Sequence, residues 1–142
     1  MRQLIALEDV SVRDILNREE GFSETIYLDT KGIPTGGRGH AFQLGSRLDT
    51  EIWEIIFNYD LHIAKAQFNK LNLRHLSPTR KAVCISMIFQ LGFHGFMGFK
   101  NMRRALRAGD YKRSAEEMLD SLWYKRDTPE RALRMYHLML RG

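Results

Sequence analysis

Polar and apolar positions alternate along this chain in a few distinct rhythms. Ser11-Val12-Arg13-Asp14 has the spacing of an acidic capping box, and Val12, Ile15 and Leu16 follow at i, i+3 and i+4. That pattern predicts a helix over about 11–19, stopped near Gly21. Thr25-Ile26-Tyr27-Leu28 is β-favouring, and Asp29-Thr30-Lys31-Gly32 carries turn chemistry. Ile33-Pro34-Thr35 is expected as a short edge strand, because proline has no N–H to give a ladder. The run Gly36-Gly37-Arg38-Gly39 reads as irregular or tightly bent.

Beyond this point the period is helical. Thr50 is placed to cap a helix carrying Ile52, Trp53, Ile55, Ile56, Tyr59, Ile63 and Ala66, running to about Asn69 and long enough to bridge two lobes. Ser77-Pro78 gives a cap and a first-turn proline ahead of a helix through Ala82 to Leu91. Phe99 to Arg107 ends at Gly109, a C-cap residue, and Asp110 opens a helix to about Leu122. Thr128-Pro129-Glu130 repeats the cap–proline–acid pattern and opens the last helix. Phe89, Phe93, Phe96, Met97 and Phe99 are expected as core around a helix–turn junction, and Trp123 as core. The fold class is therefore α+β, a small β-hairpin lobe and a larger helical lobe within residues 1–142.

Composition agrees with an ordered domain: 142 residues, 44% hydrophobic and 27% charged. The apolar stretch Leu4 to Leu7 is too short for a secretory core of about 7–15 residues, and no run approaches the roughly 18 needed to span a bilayer. The expected location is cytoplasmic, or the product leaves its cell by a route not written in its own sequence. With one cysteine, Cys84, set in an apolar run, no intramolecular disulfide forms. The net charge of +5 is unevenly placed. Residues 1–99 hold 11 Lys/Arg and 11 Asp/Glu, whereas residues 100–142 hold 11 and 6. Such a basic third suits an anionic partner: nucleic acid, a lipid surface or an acidic wall polymer.

The histidines lack metal-ligand spacing, and Gly36-Gly37-Arg38-Gly39 lacks the Lys-Ser/Thr ending of a phosphate loop. No metal, cofactor or nucleic-acid motif is read. Glu20 and Asp29 are the candidate chemistry. Glu20 falls at a helix C-terminus, where the backbone dipole disfavours negative charge, while Asp29 falls in a turn rich in backbone N–H groups. Two carboxyls in unlike environments suit glycosidic cleavage, one as acid and one as base or nucleophile. Thr35, six residues after Asp29, is placed to hold a water. Taken alone, such a pair is common in proteins.

The combined pattern is not common. Glu20-Gly21, Tyr27-x-Asp29-Thr30-x-Gly32 and Thr35-x-Gly37-x-Gly39-His40 resemble the phage-type lysozymes, whose signature is Glu, eight residues, Asp, five residues, Thr, then x-Gly-x-Gly-His. The likeness continues through Phe57-Asn58-Tyr59-Asp60, Arg80 to Gly92, Ser121 to Tyr124 and Thr128 to Ala132, covering roughly residues 12–140. The resemblance implies a lysozyme-like fold whose lobes are joined by a long helix. It implies Glu20 as general acid, with Asp29 and Thr35 activating water, acting on the β-1,4 link between N-acetylmuramic acid and N-acetylglucosamine of bacterial peptidoglycan. It further implies structural ion pairs His40–Asp60 and Glu19–Arg131, substrate contacts from Gly39 and Gln90, no cofactor, a monomer, and access to the wall through a holin or other membrane-permeabilising partner.

Several positions depart from the family pattern. Arg38 and Gly36 replace residues that are usually apolar, the stretch from His40 to Asp60 is short, and Ser86 stands where Asn is common. Arg38 either sets a cation beside the carboxyls, impairing the acid, or points outward to bind an anionic muropeptide. Gly36-Gly37 is expected to loosen the loop that holds Thr35. Ser86 and Phe93 are further candidates for lining the sugar site. The basic, amphipathic last helix fits a core helix with a solvated face, and also weak contact with an anionic membrane. Residues before 11 are expected to pack as an added segment. A catalytically weakened wall-binding or virion component is the alternative function.

Overall fold

The capping box at Ser11 forms as written. In a computed structural model that describes residues 11–142, the Ser11 hydroxyl accepts from the Asp14 N–H at 3.1 Å and Asp14 returns bonds to Ser11. These bonds hold the Asp14 carboxyl below its ordinary range. The helix they start, α1, is Val12–Glu19, and Gly21 (φ +65°) ends it. The added segment expected before residue 11 lies outside the described residues.

The chain divides into two compact units, Met1–Asp49 and Thr50–Gly142. The first holds α1 and a three-stranded antiparallel sheet in the order β1 (Ser23–Leu28), β2 (Pro34–Gly37), β3 (His40–Ala41). The expected edge strand is thus the central one. Pro34 is tolerated because it opens β2, where its missing N–H breaks no ladder, while its carbonyl accepts from the Phe42 N–H at 2.8 Å. Nor is Gly36 part of a loose loop. It is buried in β2, paired with His40, and a Cβ there would meet Ile26 and Phe42 side chains at 3.5 and 3.6 Å. The tight bend falls one step later, with Gly37 and Gly39 at φ +59° and +75°.

The second unit is helical. α2 spans Thr50–Asn69 as predicted, but its buried residues are Ala64 and Phe68, near its C-terminal end. Ile52, Trp53, Ile55, Tyr59 and Ile63, among the apolar residues that set its period, are exposed. α3 (Pro78–Met97) starts at Ser77, whose hydroxyl accepts from the Arg80 N–H, and is interrupted at Gly92 (φ 75°, ψ 164°), directly after the predicted end at Leu91. α4 is Lys100–Arg107 and α5 is Tyr111–Leu119, capped by the Asp110 carboxylate on the Arg113 N–H.

α5 stops short of Leu122. Asp120 leaves helical geometry (ψ 58°) and a π-helical turn follows over Trp123–Asp127. α6 (Pro129–Arg141) closes the fold. Thr128 does not cap α6 with its side chain; its hydroxyl accepts from Gln90 instead.

The core gathers Val83, Cys84, Met87, Ile88, Phe96, Met102, Leu106, Met118, Trp123, Ala132 and Met139. Phe93, Met97 and Phe99 pack against it in part, but Phe89 is exposed and tilts against Phe57. Burial pushes the Cys84 thiol up to about 12, consistent with an inert core residue. Arg80 joins three helices. Its guanidinium lies 3.7 Å from the Tyr111 ring centroid and donates to the Met139 and Leu140 carbonyls, which lie unsatisfied at the end of α6. No single helix among the described residues is long and apolar enough to cross a membrane; α3 and α4 meet that test only jointly and are bent by 101°.

Candidate active site

The carboxyl of Glu20 is positioned by the end of α1. Its backbone N–H closes the last helical turn on the Leu16 carbonyl at 2.9 Å, and Gly21 then turns the chain away. Its carboxylate meets the glycine turn between β2 and β3: a Cβ on Gly39 would come within 3.2 Å of Glu20 Oε2. Gly39 therefore answers two demands, a left-handed backbone (φ +75°) and room for a carboxylate.

Asp29 begins the turn between β1 and β2. Its Oδ1 accepts from the N–H groups of Lys31 (2.8 Å) and Ile33 (2.9 Å), an arrangement that fixes the side chain without using Oδ2. The Asp29 N–H donates to the Ile33 carbonyl at 3.0 Å, and the Gly32 N–H to the Asp29 carbonyl at 2.9 Å. Thr35, 5% exposed, donates its hydroxyl to the same Ile33 carbonyl at 2.9 Å. Asp29 is thus tied to both the N–H and the carbonyl of Ile33, and Thr35 to that carbonyl, on the ladder where Tyr27 pairs with Thr35. With its proton given to Ile33, Thr35 Oγ1 presents lone pairs only.

Arg38 stacks its guanidinium 5.4 Å from the centre of the Phe22 ring, and among the described residues it forms no salt bridge with Glu20 or Asp29. His40 lies edge-on to Phe42 at 4.8 Å. Glu19 accepts from Arg18 at 3.0 Å, both side chains being well exposed.

The remaining candidates lie in the helical unit. Gln90 has both ends of its amide engaged: Nε2 donates to Thr128 Oγ1 at 3.1 Å and Oε1 accepts from Trp123 Nε1 at 3.0 Å. Ser86 Oγ accepts from Arg131 at 3.0 Å, on the wall of an apolar groove of about 390 Å³ that includes Phe57, Ile85 and Phe89. Asp60 and Phe93 line a second groove of about 280 Å³ beside the Gly92 break. Among the described residues no group of three or more His, Cys, Asp or Glu is placed to hold a metal ion.

Two contributors escaped the sequence reading. Phe22, which carries Arg38, follows Gly21 with no signal beyond its aromatic side chain. The anchoring role of Ile33 belongs to its backbone, and side-chain identity does not report that.

Comparison with known proteins gives the following. A sequence model of the family described as Phage lysozyme matches residues 17–135. The chain is 29% identical to the pre-baseplate central spike protein Gp5 of Enterobacteria phage T4 over 94% of its own length, but it spans only 28% of that protein. It is 24% identical to a probable T4-type lysozyme of Dictyostelium discoideum, over 93% of this chain and 95% of that one. It is 29% identical to the endolysin of Salmonella phage P22, over 78% of each.

Proposed function

The chain belongs to the phage lysozyme family, and on that premise we propose that it hydrolyses peptidoglycan at the β-1,4 bond between N-acetylmuramic acid and N-acetylglucosamine. Glu20 acts as general acid and protonates the leaving glycosidic oxygen. Asp29 acts as general base on the attacking water. The observation that carries this reading is the shared anchoring of Asp29 and Thr35 on Ile33. It leaves Asp29 Oδ2 and the lone pairs of Thr35 Oγ1 as acceptors. A water that donates one hydrogen to each keeps its own lone pair for the anomeric carbon, and Asp29 takes the proton as the C–O bond forms. Such a water-mediated displacement inverts the anomeric centre. Gln90 and Ser86 act as braces of the helical unit, since their polar atoms are already engaged.

The test is product analysis on purified peptidoglycan by mass spectrometry. Wild type is expected to release muropeptides with reducing N-acetylmuramic ends, and Glu20→Gln to lower that release by at least about a hundredfold. Undiminished release by Glu20→Gln overturns the assignment.

A second reading has its own support. The likeness to a phage spike protein, over nearly the whole of this chain, favours carriage in a virion, as a wall-penetrating enzyme or a wall-binding part of weakened activity. Endolysin-like release through a membrane-permeabilising partner is the other route to the wall. Detection of the chain in purified virions selects the first route, and its absence from them the second.

A further inference from the structure

We propose that Arg38 is a specificity residue that reads the carboxylates of the peptide stems carried by the glycan; this rests on the hydrolase reading above. Arg38 sits between Gly37 and Gly39, both with positive φ, so the backbone of the turn is set by its neighbours and the side chain is left to project. The guanidinium lies over the Phe22 ring at 5.4 Å, a cation–π contact that restricts the side chain and lowers the entropy lost on binding. Phe22 is itself 64% exposed, so the stack covers little and leaves the guanidinium edge open. No carboxylate of the described residues lies within salt-bridge distance. The next residue, Gly39, leaves the space that the Glu20 carboxyl uses: a Cβ there would lie 3.2 Å from Glu20 Oε2. A planar cation that is unpaired among the described residues and stands one residue from Gly39, beside the proposed acid, suits an anionic group near the bond to be cut. The forked donors of arginine match a carboxylate in two-point geometry. The stems of the wall polymer supply carboxylates at that place in the substrate; an uncharged chitin-like strand does not.

Sacculi freed of phosphate polymers provide the test substrate, compared with the same sacculi after carbodiimide coupling of methylamine to their carboxyls. Wild type is expected to lose about tenfold in kcat/KM on the amidated substrate, mostly through KM. Arg38→Gln is expected to show a ratio near one, and Arg38→Lys a value in between, because a lysine keeps the charge without the fork. Phe22→Leu, which leaves the cation unstacked, is expected to reduce the ratio as well.

If Arg38→Gln loses as much as wild type on amidation, the proposal falls while the hydrolase reading stands. The same holds if wild type is indifferent to amidation but slowed by prior removal of wall phosphate polymers, which assigns the anion to phosphate. If wild type cuts neither substrate, the hydrolase reading falls and takes this proposal with it.

Discussion

Gly39 carries two constraints in one residue, and they predict different losses. A side chain there would sit at φ +75°, a region costing a non-glycine residue about 1 kcal/mol, which is a modest change in stability. The same side chain would press on Glu20 Oε2 from 3.2 Å, displacing the proposed acid by a fraction of an ångström or more. Gly39→Ala is therefore expected to fold, with a melting temperature only a few degrees lower, yet to lose about 10–100-fold in kcat. Thermal unfolding and turnover on the same preparation check both. Loss of activity only in proportion to loss of folded protein would argue that the contact with Glu20 is incidental.

At the scale of elements, the joints between helices rest on polar side chains inside an apolar unit. Gln90 of α3 binds the indole N–H of Trp123 in the π-helical turn and donates to the hydroxyl of Thr128 at the head of α6. Gln90→Leu leaves the Trp123 N–H, in a residue 3% exposed, without its acceptor, and is expected to cost about 1–3 kcal/mol in urea unfolding. Tryptophan emission should shift with it.

Much of this scaffold was legible from sequence. The capping box at Ser11, the Ser77-Pro78 start, the bounds of α2 and the break at Gly92 are all local: a hydroxyl, a ring or a missing Cβ acting within one turn. What escaped depends on partners distant in sequence. Thr128 has the letters of a cap, but Gln90 claims its hydroxyl. Pro34 looks like an edge residue until β3, only His40–Ala41, pairs with β2 from the far side. The π-helical turn holds Trp123, whose indole N–H donates to Gln90 on α3, thirty-three residues away. The carboxylates of the site were read through the spacing of Glu20, Asp29 and Thr35, whereas the bond geometry at Ile33 needed coordinates.

For the molecule as a whole, charge divides with the units. Residues 1–49 hold 6 Lys/Arg and 8 Asp/Glu, whereas residues 50–142 hold 16 and 9. The net positive charge thus lies in the helical unit, and if it serves the proposed wall substrate its attraction is electrostatic. Retention of Glu20→Gln on sedimented wall is expected to fall several-fold between 50 and 300 mM salt, since exposed charges are screened over about 10 Å at 0.1 M. Salt-independent retention would assign wall affinity to contacts other than charge.

The helical unit also has an unusual filling. Met87, Met102, Met118 and Met139 are each fully buried, four of the seven methionines in the chain. Thioethers are soft and unbranched, so they fit the irregular space around the broken α3 and the π-helical turn. They are also oxidisable, and a sulfoxide is too polar for such an interior. Peroxide reaches these four sulfurs only when the unit opens, and each oxygen then added opposes closing. The same packing that accommodates irregular helices makes a transient opening leave a covalent record, readable as added mass long after the chain has refolded.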